Sequence, residues 1–137
     1  MCTFLCSVFG EKTFEELKHS YERASLVNKC FRGETMHLHC TEERLVAALQ
    51  AAGFVRRFSD MRLIREQYPT VDDLVRSIKG MGAQNASERR NRGLGIRTVW
   101  STMITLYEHE FGLPGGIPAT YQVIMGGGLK PPEACAP

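Results

Sequence analysis

A chain of 137 residues with 43% hydrophobic side chains has the length of one domain and enough apolar material for a core, which excludes a disordered chain or a fibrous rod. Seventeen Lys plus Arg against fifteen Asp plus Glu give a net charge of +2, too little for bulk nucleic-acid binding. No apolar run approaches the ~18–20 residues of a membrane span, and residues 1–9 carry neither a basic segment nor a signal cleavage site, so a cytoplasmic protein without nucleic-acid or membrane partners is expected.

The five cysteines form an odd set without framework spacing, which predicts reduced thiols. Cys2 and Cys6 fall on one face of a strand roughly 13 Å apart, beyond disulfide reach, and read as small core residues. The charge is uneven. Residues 1–55 hold six basic and seven acidic side chains (−1) and residues 56–97 hold ten against five (+5), while residues 98–137 hold one against three (−2), which sums to the +2 of the whole chain. The basic middle is the main electrostatic feature.

The apolar run from Met1 to Phe9, bounded by Gly10, alternates poorly and predicts a strand buried on both faces, central and parallel. Thr13 with Glu16 has capping-box spacing, so a helix is expected from Thr13 to about Ala24–Asn28, with Phe14, Leu17 and Tyr21 on its apolar side. Residues 29–40 are irregular, with an extended stretch around Met36–Cys40. Thr41 caps a helix with Glu42 and Glu43 at its positive end and Leu45, Val46, Leu49 and Ala52 as its stripe; Gly53 ends it. Residues 54–67 predict a long strand whose face switches near Ser59–Asp60. Pro69 breaks that strand, and Thr70 starts a short helix. Residues 80–95 form a polar, Gly-rich loop. Ile96 to Phe111 is helical with Val99, Met103, Leu106 and Tyr107 inward, and Ala119 to Met125 is a last strand. The order of elements predicts an α/β fragment with a helical insertion, and the tail from 128 to 137 is expected to fray.

The glycine pairs Gly80/Gly82 and Gly93/Gly95 lack the strand-loop-helix setting of a nucleotide fingerprint and read as helix punctuation. Cys30, His37, His39 and Cys40 match no standard metal spacing, and His109 has no second histidine at i+4, so no metal site is expected. Nor is there a Gly-x-Ser-x-Gly elbow. Spacing alone yields no catalytic constellation.

Leu74–Ala83 (LVRSIKGMGA), followed about thirty-five residues later by Pro118–Gly127 (PATYQVIMGG), resembles the substrate-lid segment and final strand of the malonyl-acyl-carrier-protein O-methyltransferases of biotin synthesis. The opening CTFLCSVFGEKTFEELKHSYERA resembles the fifth strand and following helix of that family. Thr41–Phe54 is similar to the helix and turn that class I methyltransferases place before their sixth strand. The resemblance covers nearly the whole chain, in order. Its most specific elements are Ser77-Ile-Lys79-x-x-Gly82-Ala83 and Thr120-Tyr121.

The resemblance implies the C-terminal part of a class I, Rossmann-like methyltransferase sheet, strands five to seven, with a helical substrate lid over 69–117, residues 1–137 forming one partial domain. It implies a parent activity that methylates the free carboxylate of malonyl-acyl-carrier protein with S-adenosylmethionine (SAM). The Gly-rich loop after strand one and the ribose-binding acid after strand two have no counterpart here. No cofactor-binding residue, and no SAM binding by this chain alone, is therefore expected. The acceptor carboxylate is already anionic near neutral pH, so no catalytic base is assigned and positioning carries the chemistry. The implied substrate-binding residues are Lys79, Gly82, Ala83 and Tyr121, and Arg89, Arg90 and Arg92 are the implied docking cluster for the acidic acyl carrier protein. The alternatives are a non-catalytic carrier-binding module and a dimerising fragment that has lost the SAM site; a homodimer or a missing N-terminal half is the expected further partner.

Overall fold

Residues 1–29, 40–82 and 96–132 are described in the computed structural model. The elements are β1 (Cys2–Phe9), α1 (Glu15–Val27), α2 (Glu42–Ala51), β2 (Arg56–Tyr68), α3 (Val71–Gly80), α4 (Ile96–Phe111) and β3 (Ile117–Lys130). The strands form one sheet in the order β1-β3-β2. β1 runs antiparallel to β3, with Cys2 opposite Lys130 and Phe9 opposite Val123. β2 flanks the other side, also antiparallel: Gly128, Gly126 and Gly116 of β3 and its turn lie against the carbonyls of Arg56, Phe58 and Tyr68 in turn. The architecture is a small mixed α/β fold with an antiparallel sheet.

The opening strand departs from its expected setting. Among the described residues it is an edge strand, antiparallel to its partner, with Phe4 and Leu5 exposed. Apolar composition reports surface that is costly to hydrate; it carries no information on a neighbour's direction.

The chain divides into two compact units. The first comprises the described residues within Met1–Thr13, Leu38–Ile64 and Tyr121–Pro137. Its core is Leu45, Leu49 and Ile124, with Cys6, Val8, Cys40 and Phe54 packed against them. Thr41 caps α2 as expected, its Oγ1 accepting the Arg44 N–H at 3.2 Å, and Gly53 follows the helix at φ 82°. A backbone N–H and the Thr41 hydroxyl hold the Glu43 carboxyl below its ordinary range.

β3 runs five residues past its expected end at Met125, through Gly126–Gly128 to Lys130. Glycine disfavours strands for want of a side chain, but a Cβ on Gly126 would strike Leu45 and one on Gly128 would crowd Phe54. The bare backbone is what lets α2 and Phe54 approach. Residues 128–130 are therefore strand rather than tail, and the Lys130 ammonium sits 5.1 Å above the Phe54 ring. Among the described residues, Cys6 and Cys40 carry free thiols.

The second unit comprises the described residues within Phe14–His37 and Arg65–Thr120. α1 and α4 pack antiparallel. His19 and Arg23 reach Glu110, and Asn28 Nδ2 donates to Thr102 Oγ1 at 3.0 Å. Val99, Met103 and Tyr107 of α4 are buried as their spacing predicts, and the Tyr107 hydroxyl donates to the Pro118 carbonyl at 2.6 Å. His109 is exposed on this helix.

The expected capping box does not form. α1 begins one turn-position later, with buried Phe14 as its N-cap in the left-handed region at φ 57°, ψ 36°, and without a side-chain cap. For a bulky residue that conformation costs about 1–2 kcal/mol. The Phe14 N–H donates to the Thr120 carbonyl at 2.7 Å, and Glu16 turns its carboxylate onto the Thr120 N–H and hydroxyl. A buried strand offered stronger partners than the helix's own end. Glu16→Ala strands both Thr120 donors and is expected to cost about 2–3 kcal/mol in urea denaturation. Ser20, also buried on α1, has a hydroxyl without a hydrogen-bond partner among the described residues, so Ser20→Ala is expected to stay within about 0.5 kcal/mol of wild type or to stabilise. Equal losses for the two variants would contradict this assignment.

Candidate functional site

The residues implied as substrate contacts fall in both units. In the second, Thr70 caps α3: its Oγ1 accepts the Asp73 N–H at 3.2 Å. The spacing of Val71, Leu74 and Ile78 buries one face of the helix and leaves Lys79 exposed in the last turn. It is the basic residue of that last turn, where the helix polarity favours positive charge. The Met81 N–H donates to the Ser77 carbonyl and the Gly82 N–H to the Lys79 carbonyl, both at 3.0 Å, and Gly82 takes φ 73°. Among the described residues, no atom lies within 4 Å of a Cβ placed on Gly82, and its positive φ is what asks for glycine. Lys79 and Gly82 thus come together at the C-terminal end of α3. Ala83, Arg89, Arg90 and Arg92 lie outside the described residues, as do Cys30, His37 and His39.

Tyr121 belongs to the first unit. It is buried on β3 with its ring 6.0 Å from that of Phe9. Its neighbour Gln122 is a polar hub. The Gln122 carbonyl accepts from the Gly10 N–H at 2.8 Å and from Thr13 Oγ1 at 3.0 Å, and the Gln122 N–H donates back to Thr13 Oγ1 at 3.0 Å. Gln122 Oε1 accepts the Lys12 N–H at 3.0 Å. Sequence reasoning missed this hub, and it missed the Glu16–Thr120 pair. The available signal was polar Thr120 and Gln122 inside an otherwise apolar strand, since buried polar side chains require partners. Among the described residues, no cluster of three or more His, Cys, Asp or Glu side chains is placed to hold a metal ion, and no helix is long and apolar enough to cross a membrane.

No family model matches the chain. Curated proteins do. A malonyl-[acyl-carrier protein] O-methyltransferase of Geobacter sulfurreducens is 41% identical over 131 residues, which is 93% of this chain and 48% of that protein. Proteins of the same name from Nitrosospira multiformis and a Methylovorus species are 32% and 39% identical, over 93% and 91% of this chain and 39% and 40% of their own lengths.

The chain is a relative of the malonyl-[acyl-carrier protein] O-methyltransferases.

It spans less than half the length of these relatives. The two motifs that carry the resemblance sit on α3 with its terminus and on β3, the strand at the centre of the sheet. The α3 terminus makes a direct prediction. Gly82→Ala forces a side chain into the left-handed region and is expected to cost about 1 kcal/mol. Gly80→Ala, inside the helix and with open space at its Cβ, is expected to stabilise by up to about 1 kcal/mol. Thermal unfolding of the two single variants checks the opposite signs.

Proposed function

We propose that the chain is the C-terminal half of a malonyl-[acyl-carrier protein] O-methyltransferase, with β1, β2 and β3 as strands five, six and seven and residues 69–117 as the substrate lid. The observation that carries this reading is the 41% identity to the Geobacter sulfurreducens protein along 93% of the chain. Lys79, Gly82, Ala83 and Tyr121 face the malonyl-thioester arm. Lys79 serves as an exposed point charge for the arm or its phosphate, Gly82 and Ala83 allow close backbone approach, and Tyr121 lines the pocket. Arg89, Arg90 and Arg92 dock the acidic carrier protein by electrostatic steering.

SAM supplies the methyl group in such enzymes, and the described residues of this chain do not fit it. Of the strand-to-helix turns, the one at Gly10–Phe14 is filled, because a Cβ-sized space above Gly10 is already taken by the Gln122 side chain. At the turn into α3, the Thr70 hydroxyl and the Asp73 carboxylate bond to each other at 2.7 Å. Neither turn offers a Gly-rich cradle for a nucleoside. In this reading the SAM site lies in the part of the relatives that this chain does not span. The exposed edge of β1, with Phe4 and Leu5 open, favours a second reading: a non-catalytic carrier-binding module that pairs with another chain along that edge.

Two measurements separate these statements. Calorimetric titration is expected to give no saturable SAM binding to the chain at sub-millimolar concentrations; micromolar affinity would place the cofactor site on this half after all. Changing Arg89, Arg90 and Arg92 together to Glu is expected to weaken carrier-protein binding strongly at low salt and less at high salt, where charges are screened within about 8–10 Å. Equal affinities for wild type and triple variant across the salt series, with folding checked by circular dichroism, would remove the docking role.

A further inference from the structure

Polar side chains buried in a core are costly unless they are fully paired. The first unit pairs one with unusual completeness. Thr13 has no exposed surface, and its Oγ1 both donates to the Gln122 carbonyl and accepts the Gln122 N–H, each at 3.0 Å. A single hydroxyl thereby makes the two hydrogen bonds that a neighbouring strand would make with that residue. The Gly10 and Lys12 N–H groups add bonds to the carbonyl and to Oε1 of Gln122. A side chain at Gly10 would collide with the Gln122 amide. Gln122 is therefore held by four hydrogen bonds from the β1–α1 turn, at the position directly after Tyr121.

Holding both main-chain groups of a residue fixes the direction of the strand there, and with it the face on which its neighbour stands. Phe9 lies at the end of the register and sets its ring 6.0 Å from Tyr121. The segment from Phe9 to Thr13 thus anchors the backbone after Tyr121 and supplies one wall of its ring. A capping role for Thr13 would leave its hydroxyl on a helix N–H; the observed hydroxyl is spent on β3 instead.

We infer that Thr13 is a positioning residue that acts through Gln122 to hold Tyr121 for the malonyl-thioester arm. This rests on the proposed role of Tyr121. Thr13 itself touches no substrate.

The test is equilibrium binding of malonyl-loaded and unloaded acyl carrier protein to the whole chain, read as the preference for the loaded form. Thr13→Val keeps the shape and removes both hydrogen bonds. It is expected to lower that preference roughly fivefold to tenfold, the size expected for a lost hydrogen bond, with affinity for unloaded carrier unchanged. Thr13→Ser restores the hydroxyl and is expected to restore the preference. In a Tyr121→Leu background, Thr13→Val is expected to have no further effect, since residues acting as one unit are non-additive. Gln122→Met deletes only the Lys12 bond, leaves the main-chain bonds in place, and provides a second variant if Thr13→Val folds poorly; a partial loss of preference is expected. Equal weakening towards both carrier forms, an additive effect in the Tyr121→Leu background, or an unchanged preference in Gln122→Met would each overturn the inference. A wild-type chain without preference for the loaded carrier, or a Tyr121→Leu variant that keeps it, would overturn the proposed role of Tyr121 itself and this inference with it.

Discussion

The turn between β1 and α1 is tied to β3 by side chains standing in for a strand, and much of the fold follows from that constraint. β1 ends its pairing with Phe9 opposite Val123. Beyond it the chain leaves the ladder, yet β3 still carries main-chain groups that are buried and need partners. Gly10 and Thr13 supply them at Gln122. Because Thr13 is committed to the strand, it cannot cap the helix, and the start of α1 moves to Phe14 and Glu15. The left-handed backbone at Phe14 is the local cost, offset by the bond from its N–H to Thr120 and by complete burial of the ring.

The second unit solves a related problem with a carboxylate. Thr120 presents an N–H and a hydroxyl, and Glu16 accepts from both. Charge-assisted hydrogen bonds are stronger than neutral ones, and two of them give this buried acid a defined place. The Tyr107 hydroxyl performs the corresponding service for the Pro118 carbonyl. From Pro118 to Gln122, β3 is thus held by polar side chains drawn from the preceding elements. This is the stretch that contains Thr120-Tyr121, one of the motifs linking the chain to the malonyl-[acyl-carrier protein] O-methyltransferases.

The surfaces left open bear on function as much as the buried contacts. β1 exposes Phe4 and Leu5, and β2 exposes Phe58, Leu63 and Ile64. Apolar strand edges are sites where another chain or segment can pair, and relatives more than twice as long as the span matched here carry further sequence. At the end of α3, by contrast, Lys79 and Gly82 have complete local explanations in helix electrostatics and termination. Their service to a substrate is therefore additional to, and separable from, what they do for the helix.

Local patterns in the sequence determined the seven elements, because amphipathic spacing, the Thr41 and Thr70 caps and the Gly53 stop act within a few residues of chain. They also determined the kinship, since the strings around Lys79, Gly82 and Tyr121 are legible as text. Pairing was beyond their reach. Whether β1 is central or at an edge, parallel or antiparallel, depends on which strand arrives beside it, and β3 does so from more than a hundred residues away. The same holds for Gly126 and Gly128: glycines weaken an isolated strand, and only contact with Leu45 and Phe54 makes their missing side chains an advantage. Thr13 and Glu16 show the limit most clearly. Their spacing fits a capping box equally well in any context, and it took a buried strand with unpaired donors at Thr120 and Gln122 to draw both side chains away from the helix.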